Sequence, residues 1–233
     1  IGLRVIVGQK QAIVASSDRS KDALNELVER AVAMARTVPD DEYIGLADPD
    51  QLITDMPQLD MCDPSDISPD KLIEAARDCE DAARSVEGIT NSDGAQANWG
   101  RSSVAIAASN GFHRAYQSTG GSFSASVLAG EVQSGMETDY DYTSAVYASD
   151  LRDPVEVGRT AGERAVRKLG ARKVRSGKFP IIFEPRTARG LLNHFLGAIN
   201  GNAVARGTTF LKDCLDTPVF AAGITIVEEP HRA

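Results

Sequence analysis

The chain has 233 residues, 42% of them hydrophobic and 25% charged, which suits one large globular domain or two to three small ones. Its 25 basic and 33 acidic residues leave a net charge of −8, a field that repels nucleic acid. No apolar run approaches the roughly 18 residues of a membrane span, and the start, Ile1-Gly2-Leu3-Arg4-Val5, lacks the charged region and apolar core of a signal peptide.

Residues 3–7 and 12–15 are apolar-rich and flank Gly8-Gln9-Lys10-Gln11, which predicts a β-hairpin. The chain opens inside the first of these strands and without Met, so its true N-terminus is expected upstream. A helix is predicted over 20–37, with Leu24, Leu27, Val28, Ala31, Val32 and Ala35 as its apolar stripe and Pro39 as its stop. Residues 38–67 carry four prolines and scattered aspartates without a period. They read as a solvated linker, because the alternate carboxylates, central Gly and closing Glu of a calcium loop are missing.

Ser68-Pro69-Asp70 is a helix start, and Leu72, Ile73, Ala76, Cys79, Ala83 and Val86 form the expected inner face. Ser68-Pro69-Asp70-Lys71 also matches the SxxK of serine acyl-enzymes, but capping accounts for the serine and no second motif accompanies it. Over 87–150 the composition turns to Gly, Ser and Thr with strand-like alternation. Asn110-Gly111, Gly120-Gly121 and Ser134-Gly135 divide this stretch into four expected runs of an antiparallel meander with one wet face. In Asp139-Tyr140-Asp141-Tyr142 the acids share one face and the aromatics the other. Tyr140 and Tyr142 are candidates for core packing, the commoner use, or for a peptide-binding surface.

Asp153-Pro154-Val155-Glu156 opens a third helix with capping-box spacing, Val157, Ala161, Ala165, Val166 and Leu169 carry its stripe, and Gly170 ends it. The basic cluster from Arg159 to Lys178 reads as a solvated face. Residues 179–183 are expected to form a short buried strand. Pro185 then starts a fourth helix with Ala188, Leu191, Leu192, Phe195, Leu196 and Ile199 inward and Gly201 after it. The fold class is α+β, antiparallel sheets with flanking helices.

Few residues offer chemistry. Cys62, Cys79 and Cys214 are far apart and without CxxC spacing, which fits a reducing cytoplasm and ordinary apolar packing. There is no HExxH, GxSxG, P-loop or GxGxxG. His113 sits at a hairpin and His231 near the end of the chain. On a helical wheel Asn193 and His194 fall away from the apolar centre of their helix, towards solvent, a cleft or another domain.

The segment Gly190-Leu191-Leu192-Asn193-His194-Phe195-Leu196-Gly197-Ala198-Ile199 and the later Thr208-Thr209-Phe210-Leu211-Lys212-Asp213 resemble the TldD/PmbA family, also called modulator of DNA gyrase. So do Ile89-Thr90-Asn91-Ser92-Asp93-Gly94, residues 136–143 and residues 224–231, and the match is nearer its PmbA (TldE) branch. The resemblance implies a cytoplasmic proteolytic system acting on peptides or unfolded proteins, in which a TldD-type chain binds zinc through HExxxH and pairs with a TldE-type chain. Carried over, the first metal His would be Asn193, the catalytic Glu His194 and the second metal His Ala198. The motif is absent, so no catalytic or metal residue and no cofactor is expected in this chain, and zinc belongs to a TldD-type partner. Partners are then a TldD-type subunit or a second copy, and a peptide substrate. Neither direct nucleic acid nor membrane is expected, whatever the gyrase name suggests. The resemblance also divides the chain into 1–63, a hairpin–helix domain; 64–175, a central α+β domain; and 176–233, the start of a β-rich C-terminal domain that continues in the family.

Overall fold

The computed structural model describes residues 1–133 and 135–230. β1 (Gly2–Val7) and β2 (Lys10–Ala15) pair antiparallel from Gly2↔Ala15 to Val7↔Lys10. The turn between them is two residues long, with Gly8 at φ 62, a conformation that favours glycine. α1 (Lys21–Thr37) follows its N-cap Ser20, whose side chain accepts from the Ala23 N–H. Val14, Leu27 and Ala31 are buried between hairpin and helix, with Leu3, Val5 and Leu24 packed against them. Val28, expected in the stripe, is exposed at its margin.

The segment 38–67 is not simply solvated. The Asp63 main-chain N–H donates to Thr119 Oγ1 at 2.8 Å, and the buried Asp63 carboxylate accepts from the N–H groups of Ala148 and Ser65, both at 2.8 Å. The Ala148 bond, then those to Ser65, hold this carboxyl below its ordinary range. Arg101 Nη2 donates to the Asp63 carbonyl at 3.0 Å, and Tyr147 donates its hydroxyl to Asp60. An aperiodic segment held by distant partners carries no signal a pattern search can read.

β3 (Ile89–Ala107), β4 (His113–Glu131) and β5 (Gly135–Ala145) form an antiparallel sheet in the order β3-β4-β5. Three strands replace the four expected runs, because Gly120-Gly121 lies inside β4 rather than at a turn. Gly121 faces Trp99 across the ladder, and a Cβ there would stand 2.5 Å from the indole Cε3. The missing side chain is room for the ring. Asn110-Gly111 is a true turn, with Gly111 at φ 92. Ser134 lies outside the described residues, while Gly135 opens β5 at φ 99.

α2 (Pro69–Arg84) and α3 (Pro154–Arg167) cover one face of this sheet. Ser68 caps α2 by accepting from the Lys71 N–H, which leaves the SxxK serine a structural role. Asp153 caps α3 from the Val155 N–H. The core is built of small residues: Cys79, Ala83, Ala125, Val127, Ala129, Val157, Ala161 and Ala165. Ile73, expected inward, is half exposed. The backbone of α3 comes directly against α2 because Gly158 and Gly162 stand one turn apart: a Cβ on Gly158 would lie 1.9 Å from the Cys79 carbonyl oxygen, and one on Gly162 2.6 Å from Val86 Cγ2.

Beyond α3, residues 179–183 form no strand and Ile182 is 98% exposed. Pro180 offers no N–H, and no strand lies beside the segment among the described residues. α4 (Pro185–Ala198) and the short α5 (Gly201–Ala205) follow. The expected inner face of α4 is not packed: Leu191, Leu192, Leu196 and Ile199 are exposed, and Phe195 meets Phe220 edge to face at 5.0 Å. Periodicity identified the stripe, but nothing among the described residues covers it. No helix is long and apolar enough to cross a membrane.

Replacing Gly158 with Ala should destabilise the chain by about 1–3 kcal/mol, because the clash is with backbone. Gly190→Ala on α4, where a Cβ meets nothing within 4 Å, should stabilise it by about 0.5–1 kcal/mol through helix propensity. Urea denaturation midpoints of the two variants test the contrast.

Candidate functional site

β5 turns its acids inward. Asp139 and Asp141 are 5% and 4% exposed, while Tyr140 and Tyr142 stand on the open face at 47% and 39%. Of the two uses open to Tyr140 and Tyr142, core packing is therefore not the one adopted, and it is the acids that face inward. The reason is charge. Asp141 lies between Arg164 Nη1 at 2.6 Å and Arg152 Nη1 at 2.8 Å, and Asp139 between Arg186 Nη1 at 2.9 Å and Lys168 Nζ at 3.0 Å. Arg164 on α3 and Lys168 at its C-cap sit one turn apart, so one side of the helix delivers both. The basic cluster read as solvated thus aims two members at buried carboxylates.

Burial opposes ionisation of Asp139, but the hydrogen bonds from Arg186, Lys168 and the Tyr140 N–H outweigh it and hold the carboxyl near 2. Arg186 is held protonated beyond its ordinary range, first by its bond to Asp139. Burial, with Asp141 and Glu80 adding negative potential, pushes the Cys79 thiol up to about 11, so it is an inert core residue.

Arg186 belongs to the first turn of α4, so its bonds moor that helix to β5. A second tie joins Arg164 Nη2 to Glu184 Oε1 at 3.3 Å. The guanidinium of Arg186 also lies 4.7 Å from the centre of the Tyr140 ring, which stacks on Tyr142 at 6.3 Å and 24°. The result is an exposed aromatic pair, rigidly held, beside serines of β4. The outer edge of β5 is closed at this point: the Tyr140 carbonyl accepts from Arg186 and the Thr138 carbonyl from Lys168, while the Tyr140 N–H donates to Asp139.

Asn193 and His194 are exposed on α4 and Ala198 is buried. Five positions separate Asn193 from Ala198, about 140° around a regular helix, so the two do not share a face. Zinc asks for three or four His, Cys or carboxylate ligands. Among the described residues no group of three such side chains is placed to hold a metal. An Asn amide and a methyl group do not fit the ion. His113 opens β4, its Nδ1 3.1 Å from the Gly111 carbonyl oxygen, and His231 lies outside the described residues. The structure does not bring Tyr140 and Tyr142 into one site with Asn193 and His194. Sequence reasoning missed Arg152, Arg164, Lys168 and Arg186 as partners of the β5 acids. The one local signal was the i,i+4 pair Arg164/Lys168.

Three family models cover most of the chain: PmbA/TldA metallopeptidase domain 1 at residues 1–35, central domain at 62–169 and C-terminal domain at 176–233. The metalloprotease PmbA of Escherichia coli O157:H7 is 36% identical over 99% of this chain and 51% of its own length. The PmbA homologue of Haemophilus influenzae is 34% identical with the same coverage. The chain thus spans about half the length of these curated relatives. A Bacteroides thetaiotaomicron crystal structure described as a modulator of DNA gyrase superposes with a TM-score of 0.81 at 28% identity, over 90% of this chain and 48% of that one. TldE from Thermococcus kodakarensis shares the fold, with a TM-score of 0.59 at 21% identity over 90% of this chain and 47% of that one.

Asp139 has a folded-state pKa below its unfolded value, so the stability it contributes is complete above about pH 4 and is lost as the pH falls towards 2. The contribution is about 2 kcal/mol at neutral pH. Asp139→Asn should lower stability at pH 7 by about that amount and flatten the loss between pH 4 and 2, as measured by denaturant unfolding across that range.

Proposed function

Because the chain belongs to the PmbA/TldD metallopeptidase family, we propose that it is a PmbA-type component of a cytoplasmic proteolytic system for peptides or unfolded proteins, and that it contributes surface rather than metal. The observation that carries this reading is α4. The helix is in place and moored, yet the positions matching the zinc motif hold Asn193, His194 and Ala198. An imidazole in place of the motif's carboxylate cannot serve as the base that activates zinc-bound water. Zinc and peptide hydrolysis then belong to a TldD-type partner, and this chain completes the assembly and shapes its substrate cavity. The exposed, stacked Tyr140 and Tyr142 favour a second reading, a homo-oligomer that binds peptides without hydrolysing them.

Zinc content and cleavage of an unfolded casein substrate, measured for the purified chain alone and with a TldD-type protein, test the first reading. The expected result is substoichiometric zinc and no cleavage alone, with hydrolysis appearing in the mixture. Stoichiometric zinc in the isolated chain overturns it, and peptide binding by a stable homodimer that ignores the TldD-type protein supports the second reading instead. His194→Ala should leave cleavage by the mixture within about twofold, because loss of a true general base costs about 10²-fold or more.

A further inference from the structure

Along an antiparallel strand the N–H and C=O of one residue point to one neighbour and those of the next residue to the other. Two bonds set this alternation in β4. Ala108 donates its N–H to the Phe112 carbonyl at 2.8 Å, which turns the even-numbered residues towards β3. Thr119 donates its N–H to the Met61 carbonyl at 2.9 Å, on the opposite side. That opposite side is covered by β5 only from Gly121 to Glu131. Nearer the hairpin tip it is crossed by residues 53–61, fastened at one end by Arg114 Nη2 to the Ile53 carbonyl at 3.2 Å and at the other by the Thr119–Met61 bond.

Between these fastenings the strap stands off the strand. It leaves a cavity of about 970 Å³ lined by Met56 and Leu59 of the strap, by residues 115–117 of β4 and by residues 103–105 of β3. The odd-numbered Ala115 and Gln117, which border this cavity, turn their main-chain groups away from β3, and those groups have no hydrogen-bonding partner among the described residues. Two donors and two acceptors at the spacing of a strand ask for another strand. The walls are mainly apolar, and Arg114, the charged residue in the lining, is engaged with the Ile53 and His113 carbonyls.

We propose that this groove is a strand-acceptor site, which takes a neutral, extended peptide segment by main-chain pairing with Ala115 and Gln117 beneath the 53–61 strap. The proposal deepens the peptide-handling reading and rests on it for the class of ligand. A second copy of the chain would satisfy the same main-chain groups, but the free stretch is short and bounded by the two fastenings of the strap, which suits a single extended segment better than the border of another sheet. The fit is to backbone, so it is indifferent to most side chains.

The test titrates the full chain with fluorescein-labelled acetyl-(Val-Thr)3-amide by anisotropy and follows the Ala115 and Gln117 amides by NMR. Saturable binding with shifts at both amides is expected. Ala115→Pro, which removes an N–H that β3 does not use, should weaken binding about tenfold or more, and so should N-methylation of alternate peptide amides. Ala97→Pro, on the outward side of β3, should change binding less than about twofold. Should Ala115→Pro fail to fold, Met56→Asp on the exposed strap replaces it with the same expected loss. No saturable binding, binding kept by a folded Ala115→Pro chain, or self-association lost in that variant without peptide binding each overturns the proposal. Absent hydrolysis with a TldD-type protein while the peptide still binds removes the proteolytic reading and leaves the groove standing.

Discussion

Two buried carboxylates on β5 organise the molecule around them. A carboxylate enclosed by protein is costly unless paired and hydrogen-bonded, and Asp139 and Asp141 are answered by four cations drawn from three parts of the chain. Arg152 comes from the approach to α3, Arg164 and Lys168 from α3 and its C-cap, and Arg186 from α4. The demand of the two acids for partners therefore fixes the rotation of α3 on the sheet and the point at which α4 attaches. It also sets which side of β5 faces outward, and so exposes Tyr140 and Tyr142.

That rotation has to be compatible with close helix packing, and the glycines make it so. With Gly158 and Gly162 at the crossing, α3 approaches α2 until side-chain-free backbone touches the Cys79 carbonyl. Alanines at 161 and 165 then fill the space above Val127 and Ala129. A larger residue at either glycine would lift α3 away from the sheet and lengthen the ion pairs to β5. Core packing and charge pairing thus constrain the same helix from two sides.

The parts legible in the sequence are those whose cause is local. Ser20, Ser68 and Asp153 cap helices within three residues of themselves, and Pro185 starts α4 by its own geometry. The hairpin at Gly8 and the alternation of β5 are equally local. Long-range causes were hidden. Period two says that Asp139 and Tyr140 face opposite ways but not which faces inward, and apolar character left both uses of the tyrosines open. Gly120-Gly121 has the composition of a turn, and only Trp99, on another strand, makes it part of β4. The stripe of α4 was correctly periodic, but its burial depends on a surface that periodicity does not contain. In the candidate site, Asn193 and His194 could be placed by a wheel, whereas the Ala115–Gln117 edge is defined by a strap whose fastenings lie more than fifty residues away.

The edges of β5 and β4 differ in how their free main-chain groups are occupied. An unpaired edge invites any other strand. On β5 that invitation is withdrawn by Lys168, Arg186 and Asp139, which occupy the outward groups of Thr138 and Tyr140. On β4 the exposed length is short, ending at the Thr119–Met61 bond on one side and at the His113 carbonyl, taken by Arg114, on the other. The strap, fastened at both ends of this stretch, bounds it. Side chains seal the edge next to the aromatic pair, while the edge between Ala115 and Gln117 keeps its hydrogen-bonding capacity beside the strap.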